Sequence, residues 1–318
     1  MGTKVTRIIA TGSSGYVASD LIPRLRAQGN ITGIDQTLSG RTDVNISIES
    51  DALSGWLSRF DGEDVVVINL AAARFDFGAT PKDYFRLNVE CHAKFLESLE
   101  VCEVRRFIHI SSVAALDGRN VRYSERLNCD DAYRATKYLQ EELIRDWCDD
   151  RGIELSVVYP SAIFSRDARS DTNIGKLQSI SKWLPFLPVI DVVKSLTFLP
   201  NLSRFIMELA VGGMPAGKYL AVERPSLTVS RMIRIISGRP IRLIRIPYCQ
   251  GILMTIAGFL HVLGGFGRID LKLTPNRVVK LFSDTSYSGL GDEIIDEEAY
   301  VAHNEDQLED LLKDLNDP

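Results

Sequence analysis

The chain has 318 residues, 45% of them hydrophobic and 25% charged, enough for one large domain or two moderate ones with a buried core. Lys and Arg number 37 against 42 Asp and Glu, a formal net charge of −5, and without a basic tail nucleic acid is not an expected partner. The composition excludes collagen-like, disordered and disulfide-framework classes.

Cys91, Cys102, Cys129, Cys148 and Cys249 form no CxxC pair and are odd in number, so they read as thiols of a reducing compartment and a cytoplasmic protein is expected. No metal site is expected, since His92, His109, His261 and His303 lack ligand spacing. The N-terminus lacks an apolar run ending in a cleavage site, so no export signal is expected.

In chain order, Val5–Ala10, Asn30–Ile34, Asp64–Leu70, Arg106–Ile110 and Glu154–Tyr159 read as strands. Val17–Gln28, Tyr84–Leu99 and Asp131–Asp149 have helical spacing, the last with Leu139, Leu143 and Trp147 recurring every four residues. Strand and helix in alternation predict an α/β fold with a doubly wound parallel sheet. The second half is broken by Pro185, Pro188, Pro200, Pro215 and Pro225. Helices are predicted at Leu202–Val211 and Ser226–Ser237, and strands at Lys218–Val222 and Ile241–Ile246. Ile246–Gly267 carries no formal charge but holds Pro247, Gln250, His261 and several glycines, so a buried helix is expected and no membrane span. Asn304–Leu315 reads as a surface helix.

Four features carry chemistry. Thr11-Gly12-Ser13-Ser14-Gly15-Tyr16-Val17-Ala18 follows the first strand and opens a helix. Gly12 suits a tight turn, Gly15 a close approach to pyrophosphate, and Ala18 the packing of helix on strand. Asp35 ends the next strand at the spacing of a carboxylate that binds the adenosine ribose, which favours NAD over NADP. Tyr133 and Lys137 lie four apart on one helix face. An ammonium beside a phenol favours the phenolate, and bringing a tyrosine from about 10 to about 7 takes about 4 kcal/mol. Such a phenol exchanges a proton with a substrate hydroxyl while hydride moves to or from nicotinamide. Ser111 and Ser112 close the strand Arg106–Ile110, at the edge where open α/β sheets bind ligands. A serine there steadies a reacting oxygen.

Together these features resemble the extended short-chain dehydrogenase/reductase family, particularly its sugar-nucleotide epimerases, dehydratases and reductases. The resemblance is good over about the first 165 residues. TGSSGYVA is similar to its glycine loop, which implies cofactor contacts at Gly12, Ser14, Gly15, Tyr16 and Val17. Asp43 and Val44 resemble its pair near adenine, Leu70, Ala71 and Ala72 its cofactor-lining strand end, and Asn88 its cofactor-contacting asparagine. Val158–Phe164 resembles the RPxxVYG stretch beside nicotinamide, which implies contacts at Pro160 and Ile163, but Tyr159 stands where arginine is usual.

The resemblance implies a Rossmann-like NAD domain over residues 1–165 and a smaller C-terminal substrate-binding domain over 166–318, with segments near 195–223 and 226–246 returning to the core. It implies Tyr133 as acid/base, Lys137 tuning it and holding the nicotinamide ribose, and Ser112 as the hydroxyl on the reacting oxygen, with Ser111 the fallback and itself a cofactor contact. Val113 and Ala114 replace the Asp-Glu pair of the dehydratases, which disfavours dehydration. The expected function is an NAD-dependent epimerase or 4-ketoreductase of a nucleotide-diphosphate sugar, a UDP-sugar favoured. The alternatives are a dehydrogenase/reductase of a non-sugar alcohol or ketone, or a non-catalytic NAD-binding regulatory protein. A homodimer paired through helices around Phe95 and Leu139 is expected by the same resemblance.

Overall fold

The computed structural model describes residues 6–29, 31–73, 79–166, 173–267, 275–285, 287 and 311–313. The described residues up to Ser161, together with Thr197–Ala221, form one compact unit, while Ala162–Leu196 and Val222–Gly289 belong to a second.

The first unit is built on five alternating strands and their helices. These are β1 (Thr6–Thr11), α1 (Tyr16–Arg26), β2 (Ile31–Ile34), α2 (Ala52–Leu57), β3 (Asp64–Asn69), α3 (Pro81–Phe85), α4 (Cys91–Ser98), β4 (Glu103–Ile110), α5 (Val113–Gly118), α6 (Cys129–Asp149) and β5 (Glu154–Pro160). A sixth strand, Gly217–Ala221, reaches β5 after the helix Leu199–Ala210. All pairings are parallel, and the spatial order runs Gly217–Ala221, β5, β4, β3, β1, β2. Strands in such a sheet are covered on both faces and read as continuous apolar runs. Val65 to Ile68 of β3 accordingly have no exposed surface.

The order reverses direction at β1, between β3 and β2. At such a switch point the loops leaving neighbouring strands diverge and open a crevice beyond their carboxyl ends. That crevice sets the location of the site.

Local chemistry fixes the helix starts. Asn128 caps α6 by accepting from Asp131 N–H at 2.9 Å, which begins the helix two residues before the predicted Asp131. Thr80 and Asp83 cap each other at the start of α3. The predicted helix Tyr84–Leu99 is interrupted by a π turn, Arg86–Glu90, that carries Asn88. Behind the sheet, Phe95, Leu96 and Leu99 pack with Phe107, Ile144 and Cys148. Phe95 has no exposed surface, so its ring belongs to this chain's own core rather than to a face open to a partner.

In the second unit, Phe186–Pro188 pairs in parallel with Arg242–Ile244, and Leu227–Thr228 pairs antiparallel with Val193–Lys194. The segment 197–221 returns to the first unit, whereas 226–246 does not: Arg242–Ile244 finds its strand partner at Phe186–Pro188. The described residues of 162–196 also belong to the second unit. Cys249–Gly267 is a helix packed with Pro275–Phe282. Among the described residues no helix is long and apolar enough to cross a membrane. The predicted helix Asn304–Leu315 lies outside the described residues except for 311–313, which are helical.

Candidate active site

A crevice of about 330 Å³ lies beyond the carboxyl ends of β1, β2 and β3. Its walls include Gly12, Ser14 and Gly15 after β1, Asp35 after β2, and Leu70 to Ala73 after β3. Gly12 has φ +69°, the left-handed region, and a Cβ there would stand 2.9 Å from Ala71 N and Leu70 C. Backbone therefore meets backbone at the floor of the crevice. Gly15 precedes α1 without any side-chain cap, so the first turn of this 11-residue helix offers N–H groups to an anion. Tyr16 and Val17 form that turn.

Asp35 is held toward this loop. Its Oδ2 accepts from Ser14 N at 2.9 Å and Ser14 Oγ at 2.8 Å, and its Oδ1 accepts from Thr37 N at 2.8 Å. With two acceptor sites on each carboxylate oxygen, Oδ2 is filled and Oδ1 keeps one site for a ribose hydroxyl. Asp43 is used otherwise. Its Oδ2 accepts from Gly33 N at 2.7 Å, and its Oδ1 pairs with Arg26 at 2.7 Å, which ties the loop before Val44 to β2. Val44 is buried in the core, and neither residue lines the crevice.

Asn88 is fully buried. Its Oδ1 accepts from Ala73 N at 2.7 Å and its amide donates to Thr136 Oγ1 at 3.1 Å. It thus clamps the end of the β3 loop to α6, one residue before Lys137.

Tyr133 packs against the cluster formed by Ala73, Tyr84 and Ala132, with its ring 5.9 Å from that of Tyr84 and at 64° to it. Ala73 of that cluster lines the crevice, while Tyr133 and Lys137 themselves are not among its lining residues. Lys137 lies one turn further along α6 and is 1% exposed. Its Nζ donates to Ile110 O at 3.3 Å and to Gln140 Oε1 at 2.5 Å. Burial lowers this lysine to about 7, against a smaller raising effect from Glu141. No hydrogen bond joins the Tyr133 phenol to Lys137 among the described residues.

The two serines diverge. Ser112 caps α5, its half-buried hydroxyl accepting from Ala114 N at 3.2 Å. Ser111 is buried, donates its hydroxyl to Glu141 Oε2 at 3.3 Å and its N–H to Val158 O at 2.8 Å. Gly118 at the far end of α5 lets the two helices touch, since a Cβ there would stand 2.1 Å from Arg134 O on α6. Ser112 and Tyr133 are thereby carried on helices in direct backbone contact. Pro160 closes β5, and Ile163 lies in the strand Ala162–Phe164 of the second unit.

Several lining residues have no counterpart in the sequence reading: Ser47, Ile48, Leu87, Cys91 and His92. His92 had a signal, a lone polar ring on a helix otherwise packed with apolar residues, but no spacing that named its task. Among the described residues no group of His, Cys, Asp and Glu is arranged to hold a metal ion.

Residues 8–182 match the model of the NAD dependent epimerase/dehydratase family, and the chain belongs to that family. A UDP-glucose 4-epimerase of Mycolicibacterium smegmatis is 26% identical over 179 residues. That match takes in 50% of this chain and 56% of the relative, so the chain spans little more than half of the curated protein it matches. The UDP-glucuronic acid 4-epimerase of Bacillus cereus, solved in complex with NAD, superposes with a TM-score of 0.61 at 18% identity, over 76% of this chain and 86% of that one. A UDP-N-acetylglucosamine 4-epimerase of Methanobrevibacter ruminantium M1, in complex with UDP-N-acetylmuramic acid, superposes with a TM-score of 0.66 at 16% identity, over 98% and 97% of the two chains. At these identities the superpositions establish the Rossmann-like fold.

NAD is the cofactor of the family, and the residues present fit it. The floor at Gly12 is too close for any side chain, the helix behind it is uncapped, and the Asp35 carboxylate lines the same crevice beside the loop.

Proposed function

We propose that the protein is an NAD-dependent epimerase of a nucleotide-diphosphate sugar, with a UDP-sugar the favoured substrate. The observation that supports it is the meeting, around one crevice, of the glycine loop and Asp35 with Ala73, a member of the cluster against which Tyr133 packs. When bound, NAD supplies a reversible hydride acceptor. Gly12, Gly15 and the first turn of α1 bind its pyrophosphate, and Asp35 its adenosine ribose. Lys137 holds the nicotinamide ribose. Tyr133 takes the proton of the sugar hydroxyl at C4 and returns it to the same oxygen. Ser112 donates to that oxygen and steadies its charge.

Epimerisation is preferred to 4-ketoreduction because it regenerates the cofactor within each cycle and needs no exchange. The test is mass spectrometry of small molecules released from the purified protein, followed by turnover assays on UDP-, GDP- and dTDP-sugars. Interconversion of two UDP-sugars without net NADH consumption is expected. One NADH consumed per product would make it a reductase, and bound NAD without turnover of any sugar would remove the enzymatic reading.

We further propose a homodimer paired along α4 and α6, with half-exposed Leu139 in the contact and Phe95 behind it in the core. Light scattering should give twice the chain mass of 35.5 kDa, and a monomer mass would refute the pairing.

A further inference from the structure

Behind the crevice wall, a chain of buried polar groups runs from Leu87 to Lys137. His92 Nδ1 lies 3.0 Å from Leu87 O, which only accepts, so Nδ1 carries the hydrogen. The ring is 1% exposed, and burial, then Lys137, lowers it to about 3, so it is neutral at pH 7 and its Nε2 is a bare acceptor. Gln140, fully buried, places its Nε2 2.7 Å from that nitrogen and 3.2 Å from Ala71 O. Both neighbours accept, so the NH2 end of the amide must face them. The carbonyl end must then face Lys137, whose Nζ donates to it at 2.5 Å. Ala71 and His92 also line the crevice, so the chain is part of its wall.

We propose that Gln140 and His92 are positioning residues for Lys137: His92 fixes which end of the Gln140 amide faces the lysine, and Gln140 holds Lys137 as a donor behind the cofactor crevice. The proposal rests on the use of Lys137 beside NAD set out above. Two of the three ammonium hydrogens are committed, to Ile110 O and Gln140 Oε1, and this fixes the direction of the third. A lysine on a four-carbon stem has no such direction of its own. The titratable groups facing Lys137 are Glu141 on α6, His92 on α4 and His109 on β4, and burial holds both histidines neutral.

The arrangement predicts responses of opposite sign. Gln140→Met keeps the length but removes an acceptor from the charged form. Gln140→Glu keeps an oxygen there and adds a negative charge. With lysine 13Cε-labelled in the full chain and Lys137→Met used to assign its signal, NMR titration without cofactor should show the Lys137 midpoint fall by about one pH unit in Gln140→Met. It should rise by at least that much in Gln140→Glu. The added charge in Gln140→Glu raises the midpoint whatever the amide does, so the fall in Gln140→Met is the response that a merely structural role would not give. Midpoints unmoved in both variants, or moved in the same direction, overturn the proposal. Should Gln140→Met fail to fold, an unraised midpoint in Gln140→Glu is still refuting. Calorimetry with NAD on the same samples keeps the functional reading separate, because a native chain that binds no NAD refutes that reading whatever the lysine does.

Discussion

Tyr159 donates its phenolic hydrogen to Glu141 Oε1 over 2.6 Å, inside the sheet–helix interface. By resemblance this strand position would carry arginine. Burial first, and the Glu141 charge second, push the phenol well above its ordinary range, so Tyr159 stays protonated and serves Glu141 as a donor. The cation comes from Arg145, one turn further along α6, with Lys218 of the last strand 3.8 Å away. A buried carboxylate needs both charge and hydrogen bonds to be tolerated, and here three elements share that task. One result is that Ser111, donating to the other oxygen of Glu141, is turned into the core while Ser112 stays near the surface.

Tyr133→Phe removes the proposed acid/base and, among the described residues, no hydrogen bond. Turnover of the sugar nucleotide should fall about 10²- to 10⁴-fold. Stability should stay within about 0.5 kcal/mol of native and NAD affinity should be kept. Steady-state rates beside calorimetry decide it, and undiminished turnover would take the role from this residue.

Gly12→Ala meets two penalties at once. A Cβ in the left-handed region costs about 1–2 kcal/mol, and here it also strikes the backbone at Leu70 and Ala71. Urea unfolding should show a loss of at least about 1 kcal/mol, and NAD affinity should drop about tenfold or more. Native affinity in a folded variant would mean that the cofactor does not use this floor.

Arg106 links β4 to the helix Leu199–Ala210. It is 7% exposed along its side chain, donates to Leu209 O at 2.6 Å and Met214 O at 3.3 Å, and pairs with Glu154 at 2.5 Å. Arg106→Met removes the guanidinium donors to Leu209 O and Met214 O, although Leu209 O keeps the Gly212 N–H at 3.2 Å, and should cost about 2 kcal/mol. Glu154 is half exposed, so Glu154→Gln should cost less than about 1 kcal/mol. Urea midpoints of the two variants test the inequality, and equal losses would contradict it.

Stability should fall in mild acid because of His92. Its folded value is about 3 against an ordinary 6.5. Between the two, the unfolded chain binds a proton that the folded chain does not, so stability rises with pH across that window and is lost as pH falls through it. Each such group contributes a slope of about 1.4 kcal/mol per pH unit, and His109 acts in the same direction. Urea midpoints from pH 7 to 4 should show the slope, and His92→Phe should flatten it. A native slope in that variant would deny His92 the role.

Alternation of apolar strands with amphipathic helices made the first unit legible, because each element's own periodicity reports its burial. The turn at the glycine loop was legible for a related reason, since it needs local backbone, whereas the bonds from Ser14 to Asp35 cross from one loop to another. What the residues could not announce was partnership across the fold. Asp43 was expected near adenine, yet Gly33 and Arg26 take its carboxylate. Asn88 was expected on the cofactor, yet Ala73 and Thr136 use both ends of its amide. Lys137 was expected to act on the phenol four residues back, yet Gln140 and Ile110 hold its ammonium. In each case a partner that the sequence spacing did not reveal takes the side chain: Gly33 and Arg26 for Asp43, Ala73 and Thr136 for Asn88, Ile110 of β4 and Gln140 of the same helix for Lys137.

The strand Gly217–Ala221 completes the sheet by pairing with β5, whose chain neighbours precede it by a whole excursion through the second unit. During synthesis β5 must therefore leave the ribosome with one edge unpaired and wait for its cover. A nascent chain stalled or cut between the two would present an open strand rich in Val157 and Val158, an invitation to pair with another copy. Expression of this protein should thus be sensitive to truncation within the excursion, even where the cofactor-binding residues have all been made.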